Sequence, residues 1–268
     1  MRNLTLSIGI PAHNEEQSIP LLLESILRQR CSSFVLSEVI VIIDGSTDKT
    51  YDAVKKFSQH DKRITIINRK RRAGKADALN LIYTRASSAY LLTIDADLYF
   101  ESDLALEKMI QRLKKNSRLN LTSVRHKPIM PKSFMGKFAA YSHLILEDVF
   151  LKINNGNNFY SVMGMEMMPK RFYKSFQLPK YTLSDQCYVY AKATSENRYA
   201  FSLVNDEFAY FMPVQTFYDW RILSVRSVKG DKEDVVKHFG KGILSSYSMS
   251  KTMYFRSTLK FFIKSPIN

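Results

Sequence analysis

Residues Val35 to Ile43 constrain the fold most, because from Val39 onward they are apolar and β-branched without interruption. A strand with one wet face alternates apolar and polar residues. An unbroken run must be covered on both sides, the condition inside a parallel sheet with helices above and below. The neighbouring sequence fits that frame. Leu4 to Ile10 is a second apolar run, closed by Pro11, whose ring fixes φ. Between the two, Ile19, Leu22, Leu23, Ile26 and Leu27 recur at helical spacing. Pro20 is tolerable in the first turn, and Asn14, with Gln17 three residues on, is the predicted cap. Asp44-Gly45-Ser46 then turns the chain, and Asp48 stands where it can cap a helix holding Tyr51, Val54 and Phe57. A strand over Ile64–Ile67, a helix over Ala73–Tyr83, a strand over Tyr90–Ile94 and a helix from about Asp103 to Lys115 follow. Strands alternating with helices of about ten to fifteen residues predict an α/β fold with a doubly wound, mostly parallel central sheet.

The second half reads as mixed. Leu121–Arg125 suits a strand, and Phe134–Ile153 has helical apolar spacing. Tyr188–Ala193 and Tyr199–Val204 are further short apolar runs. No linker-like stretch separates the halves, so one continuous body is expected, and 268 residues suffice to bury a large core. No stretch of about eighteen or more apolar residues exists to span a bilayer. The strand-like start leaves no room for a signal peptide. Cys31 and Cys187 have neither metal-ligand spacing nor the look of a disulfide framework. They read as buried or half-buried thiols in a reducing compartment.

In an open parallel sheet, ligands bind beyond the carboxyl ends of the strands. Three polar clusters sit there: Pro11-Ala12-His13-Asn14-Glu15, Asp44-Gly45-Ser46 and Asp95-Ala96-Asp97. Two carboxylates flanking a small residue at the end of an apolar strand repel one another unless a cation joins them. Hard oxygen donors of this kind suit Mg²⁺ or Mn²⁺, with substrate phosphates completing the shell. A loop that merely caps the helix near Asp103 accounts for one of these carboxylates and poorly for both. Lys75, directly after Gly74, is placed to reach a phosphate from the start of its helix. His13, His60, His126, His143 and His238 show no metal-ligand spacing.

These residues carry a family resemblance. Ile8-Gly9-Ile10-Pro11-Ala12-His13-Asn14-Glu15 resembles the opening of the inverting family-2 glycosyltransferases of the GT-A fold. Val41-Ile42-Ile43-Asp44-Gly45-Ser46-Thr47-Asp48 resembles their nucleotide-binding turn, and Asp95-Ala96-Asp97 their DxD metal motif. Gly74-Lys75-Ala76-Asp77-Ala78-Leu79-Asn80 is similar to a segment of the chitin-, hyaluronan- and cellulose-synthase-like branch. The blocks occur in the family's order, and the resemblance extends over about residues 4 to 230. It implies a GT-A-like fold that moves a sugar from a nucleoside-diphosphate sugar, UDP-linked on family frequency, to a saccharide or lipid-linked hydroxyl. By the same resemblance Asp44 bonds the nucleobase, and Pro11, Ala12, Asn14 and Glu15 shape the base and ribose pocket. Asp97 is the direct metal ligand, Asp95 contacts the ribose or the metal's water shell, and Lys75 serves the phosphates. Downstream, Met163-Gly164-Met165-Glu166 resembles the acceptor-side glycine segment. Leu183-Ser184-Asp185-Gln186 resembles the helix start bearing the catalytic base, with Asp185 as its sole carboxylate; a helix cap is the competing reading. Thr216–Arg226 matches the processive synthases' Gln-x-x-Arg-Trp segment only in part. Leu223 replaces Gln, Arg226 fits the Arg that touches diphosphate, and Ser227 replaces Trp, which puts chain polymerisation in doubt.

Two other functions compete. A nucleotidyltransferase shares the layout and the metal, but wants a Gly-rich, Lys-bearing loop after the first strand. A basic nucleotide-sugar-binding protein without activity is opposed by the intact Asp95, Asp97 and Asp185. The net charge of +15 suits a phosphorylated substrate, an anionic membrane surface or nucleic acid. No interleaved basic–aromatic module favours nucleic acid. From Arg221 to Lys264, ten Lys/Arg stand against three Asp/Glu, a local net of +7. There Arg256, Lys260 and Lys264 form one helical stripe beside Phe255, Leu259, Phe262 and Ile263. This reads either as an interfacial helix on anionic lipid or as a helix packed on the domain. The expected organisation is a GT-A domain over residues 1–230, with a nucleotide-sugar half (1–120) and an acceptor half (121–230). A basic amphipathic extension (231–268) follows, with the whole placed in the cytoplasm or peripherally on the membrane's cytoplasmic face.

Overall fold

In the computed structural model, which describes residues 4–245 and 250–264, the unbroken apolar run is β2 (Phe34–Asp44). It lies between β1 (Leu4–Ala12) and β3 (Ile64–Arg69). The other strands are β4 (Tyr90–Ile94), β5 (Leu98–Phe100), β6 (Leu121–Pro128), β7 (Met165–Pro169) and β8 (Phe201–Phe211). They form one eight-stranded sheet in the order β3-β2-β1-β4-β7-β6-β8-β5. β3, β2, β1 and β4 run parallel to one another. β7 is antiparallel to β4 and β6, β8 runs parallel to β6, and β5 closes the far edge antiparallel to β8. This is the predicted α/β architecture: a parallel half and a mixed half in one sheet.

Helices cover both faces. They are α1 (Ile19–Leu27), α2 (Thr50–His60), α3 (Lys75–Arg85), α4 (Ala105–Lys115), α5 (Phe134–Lys152), α6 (Lys170–Tyr173), α7 (Asp185–Thr194), α8 (Phe217–Lys229), α9 (Val235–Phe239), α10 (Gly242–Ser245) and α11 (Lys251–Lys264). The alternation within β2 explains the two layers. Val39, Val41 and Ile43 pack with Leu22, Leu23 and Ile26 of α1, Val54 of α2 and Leu106, Met109 and Ile110 of α4. Ile40 and Ile42 point the other way, into a core with Leu79 and Ile82 of α3 and Val189 of α7. Each such fully buried aliphatic side chain contributes about 1.5–3 kcal/mol relative to exposure.

Several local expectations are corrected. Pro11 does not close β1, which continues to Ala12 by pairing Pro11 with Ile42 and Ala12 with Ile43. Pairing with β4 has already stopped at Gly9, so β1 is an edge on that side, where a residue without N–H is tolerated. Asn14 caps no helix: Ser18 occupies the N-cap of α1, and Asn14 sits at φ 58° with its side chain turned to the next loop. Tyr188–Ala193 lies within α7, and Tyr199–Val204 overlaps β8. Cys187 is buried, but Cys31, on the loop leaving α1, is exposed.

At the C-terminal end α8 runs through a π-helical turn (Gly230–Asp234) into α9. α11 packs on α5, with Met253 against Val149, Phe150 and Ile153. Its buried Ser257 accepts a hydrogen bond from Lys152 Nζ at 3.1 Å. Tyr254, Phe255 and Leu259 remain exposed, as does Arg256, while the side chains of Lys260, Phe262, Ile263 and Lys264 lie outside the described residues. No helix among the described residues is long and apolar enough to cross a membrane.

Candidate active site

The loops after β1 and β2 are laced together by hydrogen bonds that use the polar residues of both. Asn14 N–H donates to Ser46 Oγ, Thr47 N–H to Asn14 Oδ1, Glu15 N–H to Thr50 Oγ1, Glu16 N–H to Asp48 Oδ2 and Lys49 N–H to Glu16 Oε2. His13 Nδ1 donates to the Asp44 carbonyl at 2.8 Å. Loops satisfied this way lose little further freedom when a ligand arrives. Pro11 is half-buried and Ala12 is in the core, so Ala12 can meet a ligand only through its backbone.

Asp44, at the carboxyl end of β2, is buried and turned toward the start of α3. It accepts from Ala73 N–H at 2.9 Å and Gly74 N–H at 2.7 Å, with Arg69 at 3.4 Å. It thereby fixes the loop that delivers Lys75. Gly45 (φ +68°) lets that loop approach, because a Cβ there would lie 2.6 Å from the Arg72 nitrogen.

Lys75 is the hub. Its ammonium lies 2.7 Å from Asp95 at the end of β4 and 3.0 Å from Asp185 in the first turn of α7. Three elements distant in sequence thus meet at one cation. Burial alone would depress the Lys75 pKa, but Asp185, Asp95 and Glu166 outweigh it and raise the value above that of an ordinary lysine. Ser184 makes no side-chain cap to α7, so capping does not occupy this helix start. Asp95 is itself wrapped from below. Its N–H donates to the Gly164 carbonyl at 2.7 Å, and a Cβ on Gly164 (φ +63°) would stand 2.8 Å from Asp95 Oδ2.

Beside Asp95, Asp97 is exposed to a crevice of about 480 Å³ that Asn14, Glu15, Asp48, Tyr99 and Met212 also line. Withdrawal from water pushes the Asp95 carboxyl up to about 6, against Lys75 and helped by Asp185 and Asp97. Asp97 is also raised, first by desolvation and then by Glu15, while Lys75 and Arg226 oppose it. Glu15 is raised by burial, with Asp95 and Asp48 adding to it. Arg226, exposed on the last turn of α8, is thus near enough to bias Asp97 from the other half of the sheet. Carboxylates crowded into mutual repulsion at a crevice are a donor set a divalent cation would relieve. Among the described residues no group of three or more His, Cys, Asp or Glu could hold a metal by itself.

The structure therefore joins Lys75, Asp95 and Asp185 in one ion-paired cluster. It places Asn14, Glu15 and Asp97 on the adjoining crevice, with Arg226 near enough to act on Asp97. Asp44 is set behind the Lys75 loop, while Pro11 and Ala12 end β1. Sequence reading gave no role to Glu166, which lies beneath. It is buried on β7 opposite Thr93, whose hydroxyl donates to it at 2.6 Å. Burial, with Asp185 and Asp95 adding to it, pushes its carboxyl up to about 8. The available signal was a lone acid in the otherwise apolar strand Met165–Met168. Tyr99, stacked on Tyr210 across the β5–β8 pair, was missed because β5 is three residues long.

Comparison with known proteins gives the following matches. A family model described as Glycosyl transferase family 2 fits residues 7–175. An uncharacterized glycosyltransferase of Haemophilus influenzae is 36% identical over 124 residues, covering 44% of this chain and 36% of that protein. Matches to curated relatives span between 15% and 37% of those proteins' own length. A mannosyltransferase from Pyrobaculum calidifontis, solved in complex with GDP-Man and Mn²⁺, superimposes with a TM-score of 0.70 at 16% identity, covering 100% of this chain and 77% of that one. Glucosyl-3-phosphoglycerate synthase from Mycobacterium tuberculosis, with Mn²⁺ and UDP-glucose, gives a TM-score of 0.65 at 17% identity, covering 88% and 79%. At such identities the likeness is one of fold, the GT-A fold.

Proposed function

Because the chain belongs to glycosyl transferase family 2, we propose that it transfers a sugar, with inversion, from a nucleoside-diphosphate sugar to a saccharide or lipid-linked hydroxyl. The observation that carries the reading is Lys75 bridging Asp95, at the carboxyl end of β4, and Asp185, at the start of α7. It joins a carboxylate suited to a metal–diphosphate with one suited to take a proton. A UDP-linked donor is favoured on family frequency alone.

Asn14, Glu15 and the Pro11–Ala12 backbone would frame the base and ribose, while Asp44 holds the Lys75 loop. A bond from Asp44 to the nucleobase would share its carboxylate with the Ala73 and Gly74 N–H groups. Lys75 and Arg226 would balance the diphosphate's charge. Mn²⁺ or Mg²⁺ held by Asp97 and Asp95 would supply further charge neutralisation for the departing diphosphate. Asp185 is the base: its carboxylate accepts the proton of the acceptor hydroxyl as that oxygen attacks C1 from the face opposite the diphosphate. One acceptor proton and one attack suffice, so a single carboxylate completes the chemistry.

The mismatches at Leu223 and Ser227 favour adding one or a few sugars over polymer extension. The exposed Tyr254, Phe255, Leu259 and Arg256 on α11 support docking at an anionic cytoplasmic membrane surface. The test is a donor and acceptor screen in Mn²⁺ and Mg²⁺, read by mass spectrometry, with the product's anomeric configuration assigned by NMR. An inverted product supports the reading; a retained configuration rejects it.

A further inference from the structure

Behind the acceptor side lies a second cavity, of about 410 Å³, between β6, β8, α5 and α8. Its lining includes Leu146, Phe150, Leu203 and Leu223, with Trp220 toward one side and His126 on β6. A cavity of roughly 150 Å³ holds benzene, and small-molecule sites begin at about 300 Å³, so this one exceeds a packing defect. His126 is 4% exposed, and its Nε2 has no hydrogen-bond partner among the described residues. Burial, and then His143, push the His126 pKa down to about 3, so the ring is neutral. Its other hydrogen-bonding contact is to the Met163 backbone, next to the Gly164 that wraps Asp95. At the Trp220 side, Phe138 meets the indole edge-on at 5.7 Å and Phe217 stacks at 5.8 Å. Both phenyl rings are exposed.

We propose that this cavity binds a single aliphatic chain whose hydroxyl-bearing head lies at the His126 end, near the catalytic carboxylates, and whose tail leaves past Trp220. The lining is mostly apolar, its charged members Arg125 and Glu147 are paired with each other, and the His126 nitrogen without a partner fits an apolar body carrying one donor. The chain can belong to the acceptor, in which case the proposal rests on the transfer reaction above. It can equally belong to a free amphiphile; binding itself rests on the cavity alone.

Trp220 is the sole tryptophan of the chain, so its emission reports on the site. The full chain is titrated with n-decyl β-glucoside below micelle formation, with decanoate as the chain alone and glucose as the head alone. Decyl glucoside and decanoate should give saturable spectral shifts, and glucose none. Ser142→Phe, which fills the cavity, should abolish both shifts. His126→Phe should weaken decyl glucoside roughly tenfold, the scale of one lost hydrogen bond, and spare decanoate. No saturable shift in the wild type, or an undiminished one in Ser142→Phe, overturns the proposal. Transfer to alkyl glucosides that rises with chain length identifies the acceptor as the source. Saturable binding without that rise identifies a free amphiphile. Calorimetry with UDP and Mn²⁺ on the same samples separates the two ideas. UDP binding with no amphiphile shift sinks the cavity proposal alone, and an amphiphile shift without UDP binding sinks the transfer reading alone.

Discussion

The parallel half of the sheet, β1 to β4, and the mixed half, β5 to β8, handle their polar residues in opposite ways. In the parallel half the strand-end side chains are consumed by one another, as Asn14 takes Thr47, Asp48 takes Glu16 and Asp44 takes Gly74. The result is a rigid wall with a charged floor. In the mixed half Phe134, Phe217 and Tyr218 stand in solvent, and a mostly apolar cavity opens whose lining also holds the Arg125–Glu147 ion pair. A ligand of fixed chemistry suits a preformed polar wall, and a variable one suits an adaptable apolar surface. On the proposed reading the donor takes the first half and the acceptor the second, with Lys75 and Asp185 meeting between them.

The sharpest way to break that division is at the base. Asp185→Asn should lower transfer by roughly 10²–10⁴-fold while leaving UDP affinity in place. Equal loss of both would mean that Asp185 belongs to the donor wall. Lys75→Met should strike both halves. It removes the cation between Asp95 and Asp185, so UDP affinity and turnover fall together by roughly tenfold or more, and the melting temperature drops. A loss confined to turnover would detach Lys75 from the diphosphate.

Smaller effects sharpen the boundary. Gly164→Ala places a Cβ 2.8 Å from Asp95 Oδ2 at a positive φ, a strain of about 1–3 kcal/mol. Metal-dependent UDP affinity should fall about tenfold, with a modest loss of thermal stability; unchanged affinity would free Asp95 from the donor. Donor binding with metal should also weaken as pH falls through about 6, where Asp95 gains a proton. The smallest effect lies beneath the site. Glu166 is raised from 4.5 to about 8, so the native state binds the extra proton. Its contribution is fully present below pH 4.5 and is lost as pH rises through 8. Glu166→Gln should flatten that decline in melting temperature, and an unchanged slope would place the titration elsewhere.

The same contrast explains what sequence could reveal. The parallel half is built from runs adjacent in sequence, so periodicity exposes β1, β2, β4 and the helices between them, and each strand end announces a polar cluster. β5 could not be read this way. Three residues carry no period, and Leu98 is held by pairing with Phe211 far along the chain. Asp185 is legible through a motif, but its meeting with Lys75, about 110 residues away, is a product of tertiary packing. Asn14 looked like a cap because its residue type suits one. Its left-handed backbone and its bond to Thr47 depend on a loop about thirty residues away, beyond the reach of local spacing rules.

On the proposed reading, Asp97 and Asp95 hold a nucleoside diphosphate through a divalent metal. Calorimetry of UDP binding in Mn²⁺, in chelator, and in Mn²⁺ with Asp97→Ala tests it directly. Binding should be saturable in Mn²⁺, lost on chelation and lost again in the variant, whose fold is verified by an unchanged melting temperature. UDP binding of equal affinity in all three samples would contradict it.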